Sequence, residues 1–137
     1  MATQVTVETV VRASPEKVWS AWTEPEHVTK WNAASADWHS PRATNDLRVD
    51  GRFNTRMESR DGSQGFDFEG TYIDVVPHQR IAYVMDDGRK VDITFTQEGE
   101  SVKVVETFDA ETENSVEMQK AGWQSIMDGF KKYVEEM

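Results

Sequence analysis

A chain of 137 residues, 37% of them hydrophobic and none of them cysteine, is sized for one domain over residues 1–137, with a core that needs no disulfide or thiolate metal site. A formal net charge of −10 and many surface carboxylates repel phosphate backbones and anionic lipid heads, which argues against nucleic-acid and membrane-surface partners. The apolar runs are too short to cross a bilayer. Met1-Ala2-Thr3-Gln4 has neither the basic nor the apolar region of a secretory leader, so a cytoplasmic location is expected.

Residues 3–11 are rich in β-branched side chains and alternate, with Val5, Val7 and Thr9 against Thr6, Glu8 and Val10, which predicts a strand. Ser14-Pro15-Glu16 then opens a helix: serine caps, proline fits the first turn, and glutamate suits the dipole. Val18, Trp19 and Trp22 supply its apolar face. A second short helix is expected from Pro25-Glu26 to Trp31. Residues 33–45 show no period and are predicted as a loop.

A meander follows. Leu47 and Val49 lead into Asp50-Gly51, a favoured two-residue hairpin turn, with a return strand over 52–58. Strands over 66–76, 81–85, 91–95 and 102–108 come next, separated by Pro77, Asp87-Gly88 and Glu98-Gly99-Glu100. Tight turns between successive strands imply antiparallel neighbours. A helix is predicted over 114–136, with Asn114 as N-cap and Glu117 three residues on. Met118, Gly122, Ile126, Phe130 and Val134 form its apolar stripe, flanked by Trp123, Met127 and Tyr133, and such a stripe must pack on the sheet. The fold class is α+β: a curved antiparallel sheet of six to seven strands, two short helices after the first strand, and a long C-terminal helix.

Four segments carry a resemblance: "ASPEKVWSAWTEPEHVTKWN" (13–32), "DWHSPRATNDLRVDGRFNTRM" (37–57), "DGSQGFDFEGTYIDVVP" (61–77) and "ETFDAETENSVEMQKAGWQSIMDGFKKYVE" (106–135). Together they resemble the Hsp90 ATPase activator-homologue family in its stand-alone bacterial form, within the helix-grip superfamily of START domains and the birch-pollen allergen. The chain departs from the family at Asp50-Gly51, where two glycines are usual; aspartate tolerates the left-handed conformation, so the turn is expected to survive. The resemblance implies a cavity between the sheet and the long helix and does not imply a defined reaction. Family members that stimulate the chaperone's ATPase carry an additional chaperone-binding domain. A chain of 137 residues has no room for one, so chaperone contact is not expected from the resemblance.

Within that frame the candidate pocket residues are Trp31, Trp38, His39, Phe53, Phe68, Tyr72, Tyr83, Phe95, Glu106, Trp123, Met127 and Phe130. Ordinary core packing accounts for most of the aromatic set, and Trp31, Trp38 and Trp123 stand evenly between core and pocket. Met57, Met85, Met118 and Met127 read first as gap-fillers. Glu106 shares a strand face with Val102, Val104 and Phe108; if buried, its pKa rises and suits acid–base work, whereas a strand end in solvent or a pairing with Arg56 leaves it inert. His39, close to Asp37, is either a general base at the cavity rim or a surface histidine. In 66–72 the row Asp67, Glu69, Thr71 is expected on the solvent face; an inverted sheet would turn Glu69 into the cavity beside Ile73.

No metal site is expected, since His27, His39 and His78 are far apart in sequence and Asp86-Asp87-Gly88 lacks calcium-loop spacing. No cofactor motif is present either: the glycines at 62, 65 and 70 do not open a helix. Three functions compete. The first is binding of a small hydrophobic molecule. The second is an enzyme of cyclase, dehydratase or hydrolase type that uses Glu106 with His39 or Tyr72. The third is a protein-interaction role, chaperone-linked or through a homodimer.

Overall fold

A computed structural model describes residues 3–33 and 36–137. In chain order the elements are β1 (Gln4–Val11), α1 (Pro15–Thr23), α2 (Pro25–Trp31), β2 (Trp38–Asn45), β3 (Arg52–Ser59), β4 (Gly65–Val76), β5 (Arg80–Met85), β6 (Lys90–Glu98), β7 (Ser101–Asp109) and α3 (Val116–Glu136). The strands make one antiparallel sheet in the order β1-β7-β6-β5-β4-β3-β2. The sheet curls around α3, with β1 and β2 as its edges, and this is the helix-grip arrangement.

Local chemistry sets most of the boundaries. The Ser14 hydroxyl accepts a hydrogen bond from the Lys17 amide at 3.2 Å and Pro15 opens α1. Pro25 opens α2 in the same way. The Trp31 indole N–H donates to the Ala21 carbonyl at 2.8 Å, which locks α2 onto α1. Trp22, Trp31 and Phe130 then form an aromatic triangle joining α1, α2 and α3: Phe130 lies 4.8 Å from each tryptophan ring and the two tryptophans lie 5.0 Å apart.

Strand alternation places the core. Val5, Val7 and Val11 of β1, Val102, Val104 and Phe108 of β7, and Val91, Ile93 and Phe95 of β6 all face inward in cross-strand register. The C-terminal half of α3 lays Met127, Phe130 and Val134 on this floor. It also shields the free edge of β1: Lys131 Nζ donates to the Val10 carbonyl at 2.8 Å, Gln124 Nε2 to the Glu8 carbonyl at 3.1 Å, and the Arg12 amide donates to Glu135 at 2.8 Å.

Three sequence expectations are corrected. Residues 38–45 are a strand, not part of a loop, paired with β3 and interrupted between His39 and Arg42. Pro41 falls in that interruption, on an edge strand where a missing N–H is tolerated. Leu47 and Val49 belong to no strand, so Asp50-Gly51 does not close a two-residue hairpin. Residues 46–51 form a six-residue connection that docks on β4 through Asp50 N–H to the Tyr72 carbonyl and Tyr72 N–H to the Gly51 carbonyl, both at 2.9 Å. Asp50 does adopt the left-handed conformation, at φ 69°. Gly51 admits no side chain, because a Cβ there would sit 2.1 Å from the Asp46 carbonyl oxygen. The cap of α3 is Ser115 in place of Asn114: its hydroxyl accepts from the Met118 amide at 3.1 Å.

Among the described residues, no helix is long and apolar enough to cross a membrane.

Candidate functional site

The N-terminal half of α3 stands over the concave face of the sheet and reaches it through Trp123. A cavity of about 540 Å³ lies beneath it. Its floor is the concave face of β3, β4, β5 and β7, with Phe53, Thr55, Phe68, Tyr72, Ile81, Tyr83 and Glu106. One wall is α1 and α2 with Trp22, Val28 and Trp31, and β2 adds Trp38, Ala43 and Asn45. The roof is Met118, Gln119, Gly122, Trp123 and Ile126 of α3. A Cβ on Gly122 would meet no atom within 4 Å, so this helical turn borders open space.

Rings pack against each other around the void. Phe53 and Tyr83 meet edge to face at 4.6 Å, Phe53 and Tyr72 lie 5.3 Å apart, and Phe68 reaches Trp123 at 6.0 Å. At the mouth, Phe66 and Trp38 are 6.0 Å apart. Phe66 and Met118 both line the cavity and are large apolar side chains left exposed, at 48% and 63%.

A few polar groups are set into this lining. Tyr72 donates to Asn45 Oδ1 at 2.6 Å, and Asn45 Nδ2 donates to the Thr23 carbonyl at 2.6 Å, a relay from β4 through β2 to α1. Burial pushes the Tyr72 phenol above its ordinary range. Gln119 is buried and fixes the turn between β7 and α3: its Oε1 accepts from the Glu111 amide at 2.8 Å, and its Nε2 donates to the carbonyls of Glu111 and Asn114 at 3.1 and 2.9 Å.

Glu106 lies on the concave face, opposite Val7 of β1 and Ile93 of β6. It is 6% exposed, and burial pushes its carboxyl up to about 8, so at neutral pH it is mostly the uncharged acid. It neither opens to bulk solvent at a strand end nor pairs with Arg56, which binds Glu58 at 2.9 Å and Asp67 at 3.5 Å. Tyr83 is buried with it. Its phenol is held well above the ordinary value by burial and then by the Glu106 charge, and Arg89 pulls weakly the other way.

Eight of the twelve candidate residues line the cavity: Trp31, Trp38, Phe53, Phe68, Tyr72, Tyr83, Glu106 and Trp123. Four do not. Phe95, Met127 and Phe130 are core under the other half of α3. His39 stands opposite Glu58, on the outer face beside Trp38, and cannot reach Glu106. Glu69 also faces outward, accepting from Asn54 at 2.7 Å, so the sheet is not inverted. Arg89, Asn45, Thr55 and Gln119 also line the cavity without having been candidates; each is a lone polar residue, in a strand, a turn or the first turns of α3, with no spacing to mark it.

Glu24, Glu26 and His27, at the start of α2, bring three ligand atoms within 4.8 Å of one another, nearer than histidine spacing alone suggests. His27 Nδ1 there already meets the Tyr133 hydroxyl at 2.6 Å. Asp86 and Asp87 are bound by Arg52 and Arg89, each at 2.8 Å.

Known proteins share this architecture. An NMR structure of an AHSA1-like protein from Aeromonas hydrophila superposes with a TM-score of 0.92 at 47% identity, over 98% of this chain and 93% of that one. A solution structure from Cytophaga hutchinsonii gives 0.85 at 48% identity, over 97% and 92%. A crystal structure from Nitrosomonas europaea shares the fold at 0.84 with 18% identity, over 97% and 94%. No curated protein matches. The sequence model described as Activator of Hsp90 ATPase homolog 1-like protein matches residues 12–135, and the chain belongs to that family.

Proposed function

We propose that this protein binds a small hydrophobic molecule in the cavity under the N-terminal half of α3. The observation that carries the reading is the void itself: about 540 Å³, walled mainly by aromatic and aliphatic side chains, with a few polar groups set among them. That is the size and character of a small-molecule site. Apolar surface facing an unfilled space is costly to leave wet, and a ligand that covers it gains roughly 25 cal/mol for each Å² removed from water. Phe66 and Met118 supply an apolar threshold for such a molecule.

Simple linkage gives the test. A ligand present at about 100 times its Kd adds about 2.7 kcal/mol to stability, which for a chain of this size raises Tm by about 10 °C. Apolar probes that leave Tm and the amide resonances of Trp123 and Tyr83 unmoved would sink the reading. Native mass spectrometry of protein from its own host is expected to show an adduct.

A second reading, acid catalysis, draws on the buried Glu106 carboxyl beside Tyr83. It needs a base within reach of the same substrate, and His39 is on the other face of the sheet. Binding therefore ranks first. The chaperone in the family's description is not assigned to this chain, and a cytoplasmic location remains part of the proposal.

A further inference from the structure

Two buried oxygen-bearing side chains face the cavity without a hydrogen-bond partner among the described residues. Glu106 and Tyr83 are 6% and 7% exposed, and neither side chain hydrogen-bonds to a described residue. Yet among the described residues no fully enclosed side-chain nitrogen or oxygen lacks a partner. The two oxygens are therefore not sealed in packing; they border open space, and both side chains line the void. The register places them as diagonal neighbours across β6: Glu106 opposite Ile93, Tyr83 opposite Val91. They sense each other electrostatically, since charge on Glu106 raises the Tyr83 phenol.

We propose that the cavity, taken as a ligand site as above, selects an uncharged hydrophobic molecule with one carbonyl-type oxygen, which accepts hydrogen bonds from the Glu106 carboxyl and the Tyr83 hydroxyl. Both groups are donors when protonated, and a single oxygen has two lone pairs to receive them. A hydrocarbon would leave both donors unsatisfied, which is unfavourable in an apolar setting. The charge around the site favours a neutral ligand. A cation would meet Arg89, which lines the same cavity, and an anion would find that guanidinium already held by Asp87 at 2.8 Å.

The surroundings of Glu106 are simple. The titratable and charged groups facing it are Tyr83 from β5, Arg89 after β5, Tyr72 from β4 and Glu111 at the rim. Beside it, β1 and β6 present Val7 and Ile93, α3 presents Gln119, Trp123 and Ile126, and α1 and α2 contribute no titratable side chain to the lining. Burial holds the carboxyl in its acid form to about 8, so the donor persists through neutral pH.

The test uses the full chain and three probes of one shape: methyl naphthyl ketone, isopropylnaphthalene and naphthylethylammonium, titrated by NMR or calorimetry. At about pH 6 the ketone is expected to bind about tenfold tighter than the hydrocarbon. That advantage is expected to fall as pH rises through about 8, where ionised Glu106 becomes an acceptor and repels the carbonyl. Glu106→Gln keeps an N–H donor, so the preference should persist without its pH dependence. Glu106→Leu should bind the hydrocarbon and keep only the part of the preference that the Tyr83 hydroxyl supplies, with no pH dependence near 8. Thermal unfolding confirms that both variants fold. Equal binding of ketone and hydrocarbon by the unmodified protein, or preference for the ammonium probe, overturns the anchor while leaving the cavity reading intact. Failure of all three probes to bind defeats the cavity reading and the anchor with it.

Discussion

The indole of Trp123 lies flat on the ring of Phe108, centroids 3.9 Å apart and planes within 10° of parallel. This stack joins the roof of the cavity to the core, α3 to β7, beside the void. Trp123→Ala removes it together with the edge contact to Phe68. A loss of about 2–3 kcal/mol is expected, less than for a fully buried tryptophan because the indole is only half-buried. Urea unfolding measures the loss. Trp123→Phe should recover most of it.

Gly122 separates occupancy from stability. A side chain there meets open space, and a glycine inside a helix is less favourable than alanine by about 1 kcal/mol. Gly122→Leu should therefore hold or raise Tm while it fills part of the void and weakens binding of isopropylnaphthalene. A variant that binds this probe as well as the parent would place the ligand elsewhere.

Glu106 imposes a pH dependence on folding. Its folded-state pKa is raised above the unfolded one, to about 8 from 4.5, so the folded state holds the extra proton between those values. The group favours folding fully below about 4.5, and that contribution is lost as pH rises through about 8. A difference of a few kcal/mol between mildly acidic and alkaline solution is the expected order. Glu106→Gln should flatten this part of the profile and be the more stable protein at alkaline pH. Denaturant titrations of both proteins across the range are the check.

Trp31 tests the junction of the short helices. Trp31→Phe keeps a ring against Trp22 and Phe130 but leaves the buried Ala21 carbonyl without its donor. The expected cost is about 1–2 kcal/mol, or about 3–8 °C in Tm. A calorimetric scan that shows no change would mean that water replaces the indole N–H.

Period-two alternation identified β1 and β4 to β7, β3 was expected as the return strand after Asp50-Gly51, and serine–proline chemistry marked the start of α1. The same signals failed at β2. Its sequence WHSPRATN contains a proline and no alternation, and it is a strand because β3 offers it a partner. The pull of Asp50-Gly51 as a hairpin was overridden by the docking of residues 46–51 on Tyr72.

The site was legible to the extent that inward-facing strand positions were: Phe68, Tyr72, Tyr83 and Glu106 follow from alternation, and Phe53 from its place in the aromatic set. Periodicity gives the face a residue points to, but not the height of the helix above it. Phe130 and Trp123 belong to one apolar surface of α3, yet one is sealed in the core and the other roofs a void. Nor could it show that His39, one residue from Trp38, falls on the opposite face.

The helix over the cavity has a consequence for how such a chain diversifies. A strand needs neighbours for its backbone groups, whereas a helix satisfies its own and can border emptiness along one side. Residues 118, 119, 122, 123 and 126 form the roof while the strands beneath keep their ladders. The space below can thus be reshaped by exchanging side chains along two turns of one helix, with no strand shifting register.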